Sequence, residues 1–233
     1  MWHQVDLAAQ LPEHWLLELD LQIRRTNQLL ADTDGSSGRM AGPAPNTWLI
    51  ARPIVGYQVL RWLSVWVGYA FNGILYSEPA LRSAENVAEN RIFQQLLLSY
   101  SWGPWSLKLR TRFEQRHRSR GPGSAEQSGG ETTWAFRLRQ QVQATFEIRA
   151  DRPWLVVGWD EVFVNCNTTG YITEPGFNQN RAFLGLGYAP DESVLVELGY
   201  LNQYSRSYGG SENTLGHVLY SSLKLQFDLS ERR

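Results

Sequence analysis

A chain of 233 residues with a formal net charge of -1 carries no bulk electrostatic signal for nucleic acid. A mean hydropathy of -0.37 and a hydrophobic content of 42% exclude a helical membrane bundle, while 10 Trp and 10 Tyr are rich for a soluble domain and suit a barrel with aromatic girdles. The single cysteine, Cys166, excludes an internal disulfide and a thiolate metal cluster.

The chain opens Met1-Trp2-His3-Gln4, without the basic n-region and apolar h-region of a signal peptide. Either the protein stays in the cytoplasm or this is a mature sequence given a new start Met. For the barrel inferred below, the expectation is an N-terminal signal that has been removed. Residues 14–24 then set Trp15, Leu17, Leu19, Leu21 and Ile23 against Glu18, Asp20, Gln22 and Arg24. Alternation of this kind is the period of a β-strand, whose successive side chains point to opposite faces. The nearest approach to a transmembrane helix, Trp48 to Tyr76, is interrupted by Arg52, Pro53 and Arg61 and weakened by Gly56 and Gly68. It reads instead as two strands. Residues 106–116 alternate Lys108, Arg110, Arg112, Glu114 and Arg116 with Leu107, Leu109, Thr111 and Phe113. Residues 132–147 and the last strand repeat the pattern, the latter with Leu219, Leu223, Leu225, Phe227 and Leu229 against Ser222, Lys224, Gln226 and Asp228. The predicted strands are 2–11, 14–24, 47–59, 62–76, 89–102, 105–117, 131–147, 153–165, 178–189, 193–204 and 215–229.

Short turns at Pro12-Glu13, Arg61, Gly103-Pro104, Ala150-Asp151 and Pro190-Asp191 alternate strictly with longer polar connections at 25–46, 77–88, 118–130, 166–177 and 205–214. An up-and-down barrel with turns on one side and loops on the other predicts that regularity, and a Greek-key sandwich does not. The fold class expected is therefore all-β: a single antiparallel up-and-down transmembrane barrel of 10–12 strands spanning residues 1–233. Bacterial barrels usually have even strand numbers, so eleven leaves the direction of the first strand open.

The sense of the wall follows from the charged face. It carries Arg far more than Lys, with Lys108 and Lys224 the only lysines, and Arg suits crowded, hydrogen-bonded ion-pair networks. With Trp102, Trp105, Tyr100, Tyr188 and Tyr200 placed as girdles, the charges are expected to line a lumen and the apolar residues to face lipid.

The phrases LDLQIRR (19–25), RPIVGYQV (52–59), VGYAF (67–71), ENRIFQQ (89–95), RTRFEQR (110–116), RLRQQVQ (137–143), DEVFVN (160–165), FNQNRAFLGLGY (177–188) and ELGYLNQY (197–204) resemble a bacterial outer-membrane barrel family, domain of unknown function 2490. The resemblance covers most of the chain in order. It implies a barrel in the bacterial outer membrane and implies no activity.

The candidate site is the lumen-lining charge network: Glu18, Arg24, Glu89, Arg91, Arg110, Arg112, Glu114, Arg116, Arg137, Arg139, Glu161, Arg181 and Glu197. The hairpin closed by Gly103-Pro104 sets Trp102 opposite Trp105, so Glu114 falls opposite Phe93 and diagonal to Arg91. Gly185, Gly187 and Gly199 share the inner face and leave space for long neighbours. With Arg52, Lys108 and Lys224 among the cations and Asp6, Asp20 and Asp228 among the acids, near balance of charge favours mutual pairing. The expected lumen is largely occluded, with any residual current leaning to anions. No cofactor, metal or enzymatic activity is expected; the partners are outer-membrane lipid and at most small solutes or ions.

Two alternatives stand beside this reading. One is a lipid hydrolase at the barrel rim, with Ser119 as nucleophile, His117 as base and Asn90, opposite His117, as its orienting partner. His217 and Ser221, four residues apart on one strand and about 13 Å from each other, cannot exchange a proton. The other is a soluble calycin-like barrel with an apolar ligand inside, which detergent dependence would separate from a membrane protein.

Overall fold

The computed structural model describes residues 1–28, 44–76, 88–119, 134–148, 153–169, 172, 174–206 and 213–230. Eleven strands close into one barrel: β1 (Trp2–Gln10), β2 (Trp15–Gln28), β3 (Ala44–Leu60), β4 (Leu63–Tyr76), β5 (Ala88–Trp102), β6 (Trp105–Ser119), β7 (Trp134–Glu147), β8 (Trp154–Asn165), β9 (Gly176–Asp191), β10 (Val194–Ser205) and β11 (Thr214–Asp228). Every alternating segment of the sequence becomes a strand. No helix among the described residues is long and apolar enough to cross a membrane.

Neighbours in sequence pair antiparallel from β1–β2 through to β10–β11. The closing pair corrects the fully antiparallel expectation. β1 lies parallel to β11, from Trp2 opposite Tyr220 to Gln10 opposite Asp228. The reason is parity: in a meander all odd-numbered strands run the same way, so the first and last of eleven can meet only through a parallel ladder.

The strands are steeply tilted. From Val5, cross-strand partners run through Leu21, Ala51, Phe71 and Asn90 to His117, near the end of β6. In the other direction they run through Leu223, Val196, Tyr188 and Trp154 to the β7–β8 turn, beside the opposite end of β6. The pairing line thus climbs a whole strand length in one circuit, the stagger a barrel needs to close. The β1–β2 turn holds Glu13 (φ 58°) and His14 (φ 68°) in left-handed backbone, which matches the twist of a tight hairpin. The five longer predicted connections lie mostly outside the described residues.

The wall has its charges inside. On β6, Leu107, Leu109 and Phe113 face outward and are 37–38% exposed, while Arg112 and Glu114 face inward at 3% and 1%. The apolar interior of a calycin-like barrel is therefore not what this chain builds. At the short-turn rim Trp15, Tyr57, Trp62, Tyr100, Trp102, Trp105, Trp154 and Tyr188 all project outward. Leucine and valine follow them up the wall. Toward the opposite rim outward polar side chains appear, and they bond to one another: Thr111 donates to Gln140 (2.7 Å), Gln115 to Gln94 (2.9 Å) and Asn180 to Asp160 (2.9 Å), while His3 meets Ser221 (2.7 Å).

Inside, glycines make room for rings and not for charged chains. Phe93 lies against Gly68, Trp66 against Gly56, and Phe183 across the facing pair Gly185 and Gly199. A ring laid over a cross-strand glycine restores the packing that the glycine forgoes. A Cβ on Gly199 would stand 2.4 Å from the Leu184 carbonyl oxygen and 2.5 Å from Gly185 Cα, both backbone atoms. Gly199→Ala is therefore expected to lower stability by about 1–3 kcal/mol. At Gly216 the nearest atom would be 3.6 Å away, so Gly216→Ala is the matched control. Urea unfolding followed by tryptophan fluorescence compares the two, and equal midpoints would refute the backbone collision.

Candidate functional site

The lumen is built from inward positions at every second residue, and its densest charge lies on four consecutive strands. Arg110 of β6 donates to Glu161 of β8 (2.8 Å), and Arg139 of β7 donates to the same oxygen (2.7 Å). Arg139 also reaches Glu114 of β6 (2.6 Å), whose other oxygen accepts from Arg137 (2.9 and 2.5 Å). Arg91 of β5 stands 3.9 Å from Glu114 and pairs with Glu89, which takes a two-pronged bond from Arg116 (2.9 Å each). Eight side chains thus form one continuous ion-pair network. Glu114, Arg137, Arg139 and Glu161 are all at most 6% exposed, so the centre of the network sits away from bulk water. Guanidinium geometry makes such an arrangement tolerable, because each buried carboxylate takes several charge-assisted bonds.

The remaining predicted residues are divided among separate partners. Glu197 accepts from Ser222 (2.8 Å) and Lys224 (3.1 Å) toward the short-turn end. Asp20 pairs with Arg52 (2.7 Å), and Asp6 lies directly across from Asp20 and accepts from Gln4. Glu18 lines the cavity near them and makes no ion pair among the described residues. Asp228, counted with the inner face in the sequence reading, sits exposed at the rim and bonds Ser230. Arg24, Arg112 and Arg181 form no ion pair with a carboxylate among the described residues; each is held by glutamine oxygens.

Mutual pairing therefore holds for the network on β5–β8, where five arginines share three glutamates, and not for the whole lumen. What sequence reasoning missed is the second set of partners. Gln22, Gln95, Gln179 and Gln203 accept from the arginines beside or across from them. The rings of Trp2, Phe93 and Phe163 take guanidiniums on their faces at 4.1–5.1 Å. The signal was present as glutamine two residues from arginine on one strand face, in Gln22-Ile23-Arg24 and Gln179-Asn180-Arg181.

Of the alternative rim set, Asn90 does oppose His117. Asn90 accepts a hydrogen bond from the Tyr69 hydroxyl, and His117 packs against Trp134 at 5.2 Å between ring centroids. Ser119 ends β6, and its side chain lies outside the described residues.

A closed, all-β barrel with a buried arginine–glutamate lumen is the class that these features define. The chain belongs to the family described as protein of unknown function, DUF2490, which matches residues 1–214. It is also similar to an uncharacterized protein of Methylorubrum extorquens, 33% identical over 185 residues, covering 77% of this chain and 72% of that one. No solved structure matches.

Proposed function

We propose that the protein is an outer-membrane barrel whose lumen is plugged by its own arginine–glutamate network, serving as a structural wall component or a narrow, largely occluded pore, without catalysis. The observation that carries this reading is the reversed sense of the wall, apolar side chains outside and buried ion pairs inside. The outward polar groups support it as well. In hydrocarbon an unpartnered polar group costs several kcal/mol, roughly, and those facing out here bond in pairs. Water would satisfy them without pairing.

Refolding into detergent and reconstitution in a planar bilayer test both parts. The expected result is stable insertion with no large openings, and any residual current selective for anions because inward cations outnumber acids. A chain that stays monodisperse without detergent would end the membrane reading. Large, stable openings would end the plugged lumen.

A further inference from the structure

Part of the lumen's cation surplus forms no ion pair among the described residues. Arg24, Arg112 and Arg181 have no carboxylate partner among the described residues, and together with Arg52 they line one cavity of about 290 Å³. The Trp2 ring has the Arg24 guanidinium at 4.1 Å and that of Arg181 at 5.0 Å. Arg24 and Arg52 donate to the same oxygen, Gln22 Oε1. Two further donors here, Arg52 Nε and Trp2 Nε1, are buried and have no acceptor among the described residues. Amide oxygens and an aromatic face can orient a guanidinium, but they carry no charge to cancel it. Carboxylates line the same cavity, Asp6, Glu18 and Asp20 from β1 and β2 with Glu161 and Glu197, but among these four arginines only Arg52 forms an ion pair with any of them. Like charges gathered inside a narrow barrel, two of them buried and two partly so, favour a counter-ion.

We propose that this cluster binds a small multivalent oxyanion of the phosphate class. Arg24, Arg112 and Arg181 supply the uncompensated charge, and Arg52 Nε and Trp2 Nε1 supply spare donors. Planar guanidiniums present paired N–H groups at the spacing of phosphate oxygens, which lysine would not. Three unpaired cations match a dianion better than a halide. The site depends only on the inward charges, so its fate is separate from that of the membrane reading.

Isothermal titration calorimetry on the purified barrel at constant ionic strength provides the test. Inorganic phosphate is titrated in one arm and dihexanoyl phosphatidic acid in the other. Saturable binding is expected, weakened at least tenfold by Arg24→Gln and by Arg181→Gln, and unchanged by Arg61→Gln at the exposed short-turn rim. Binding of phosphate assigns the site to the free ion, and binding of the short-chain lipid alone assigns it to a headgroup. A wild-type measurement needs no variant: the thermal unfolding midpoint should rise with whichever probe binds and not with chloride at matched ionic strength. Absence of saturable binding in both arms, or binding that survives both glutamine substitutions, overturns the proposal.

Discussion

Glu114→Ala is expected to destabilise the barrel by about 3–5 kcal/mol, the cost of leaving buried guanidiniums without their counter-charge. Glu114 is 1% exposed and accepts from both Arg137 and Arg139. Arg139 would retain Glu161, but Arg137 has no other ion partner among the described residues. The loss should therefore be repaired in part by removing the stranded cation as well, as in the double variant Glu114→Leu with Arg137→Leu. Equilibrium unfolding in urea measures both. A loss below about 1 kcal/mol for the single variant would place the pair among exposed ion pairs, and the lumen would then be wet.

Phe93→Ala should cost a comparable amount, about 3–5 kcal/mol, for a different reason. Phe93 is fully buried, packs with Ile54 and Ala70, covers Gly68 and takes the Arg112 guanidinium on its face at 4.1 Å. Truncation leaves a void that the rigid, hydrogen-bonded wall cannot close, and it also frees Arg112. Because the glycine exists to seat the ring, Gly68→Leu introduced into the Phe93→Ala background should recover part of the loss. A second substitution that deepens the loss would show that the ring and the glycine are not a packing unit.

The strands themselves were written in the sequence because a two-sided wall forces a period of two. The register of β5 on β6 was legible too. The tight Gly103-Pro104 turn fixes which residues oppose each other, so the pairing of Phe93 with Glu114 follows from the sequence. The parallel seam was not legible. Alternation shows which face a residue takes and is silent on which distant strand lies beside it, and an expectation of even strand number concealed the consequence of eleven. The ion pair between Arg139 and Glu161 was equally hidden, since the short turn placed at Ala150-Asp151 has no glycine or flanking tryptophan pair to fix its length and so the register. The role of glutamine was not legible either. In the barrel it accepts from the arginines that carboxylates do not reach, and Phe93 and Phe163 occupy inward positions that a purely charged lining would have assigned to polar residues.

The odd strand count also determines the direction in which the polypeptide leaves the barrel. β1 starts at the rim of the long connections, and β11 finishes at the rim of the tight turns. In an even-stranded meander both ends would emerge together, on one side. Here they emerge at opposite mouths. For a wall that spans a bilayer, reporters fused before Trp2 and after Asp228 would sample different compartments, and no short linker could join the two ends without crossing the height of the barrel.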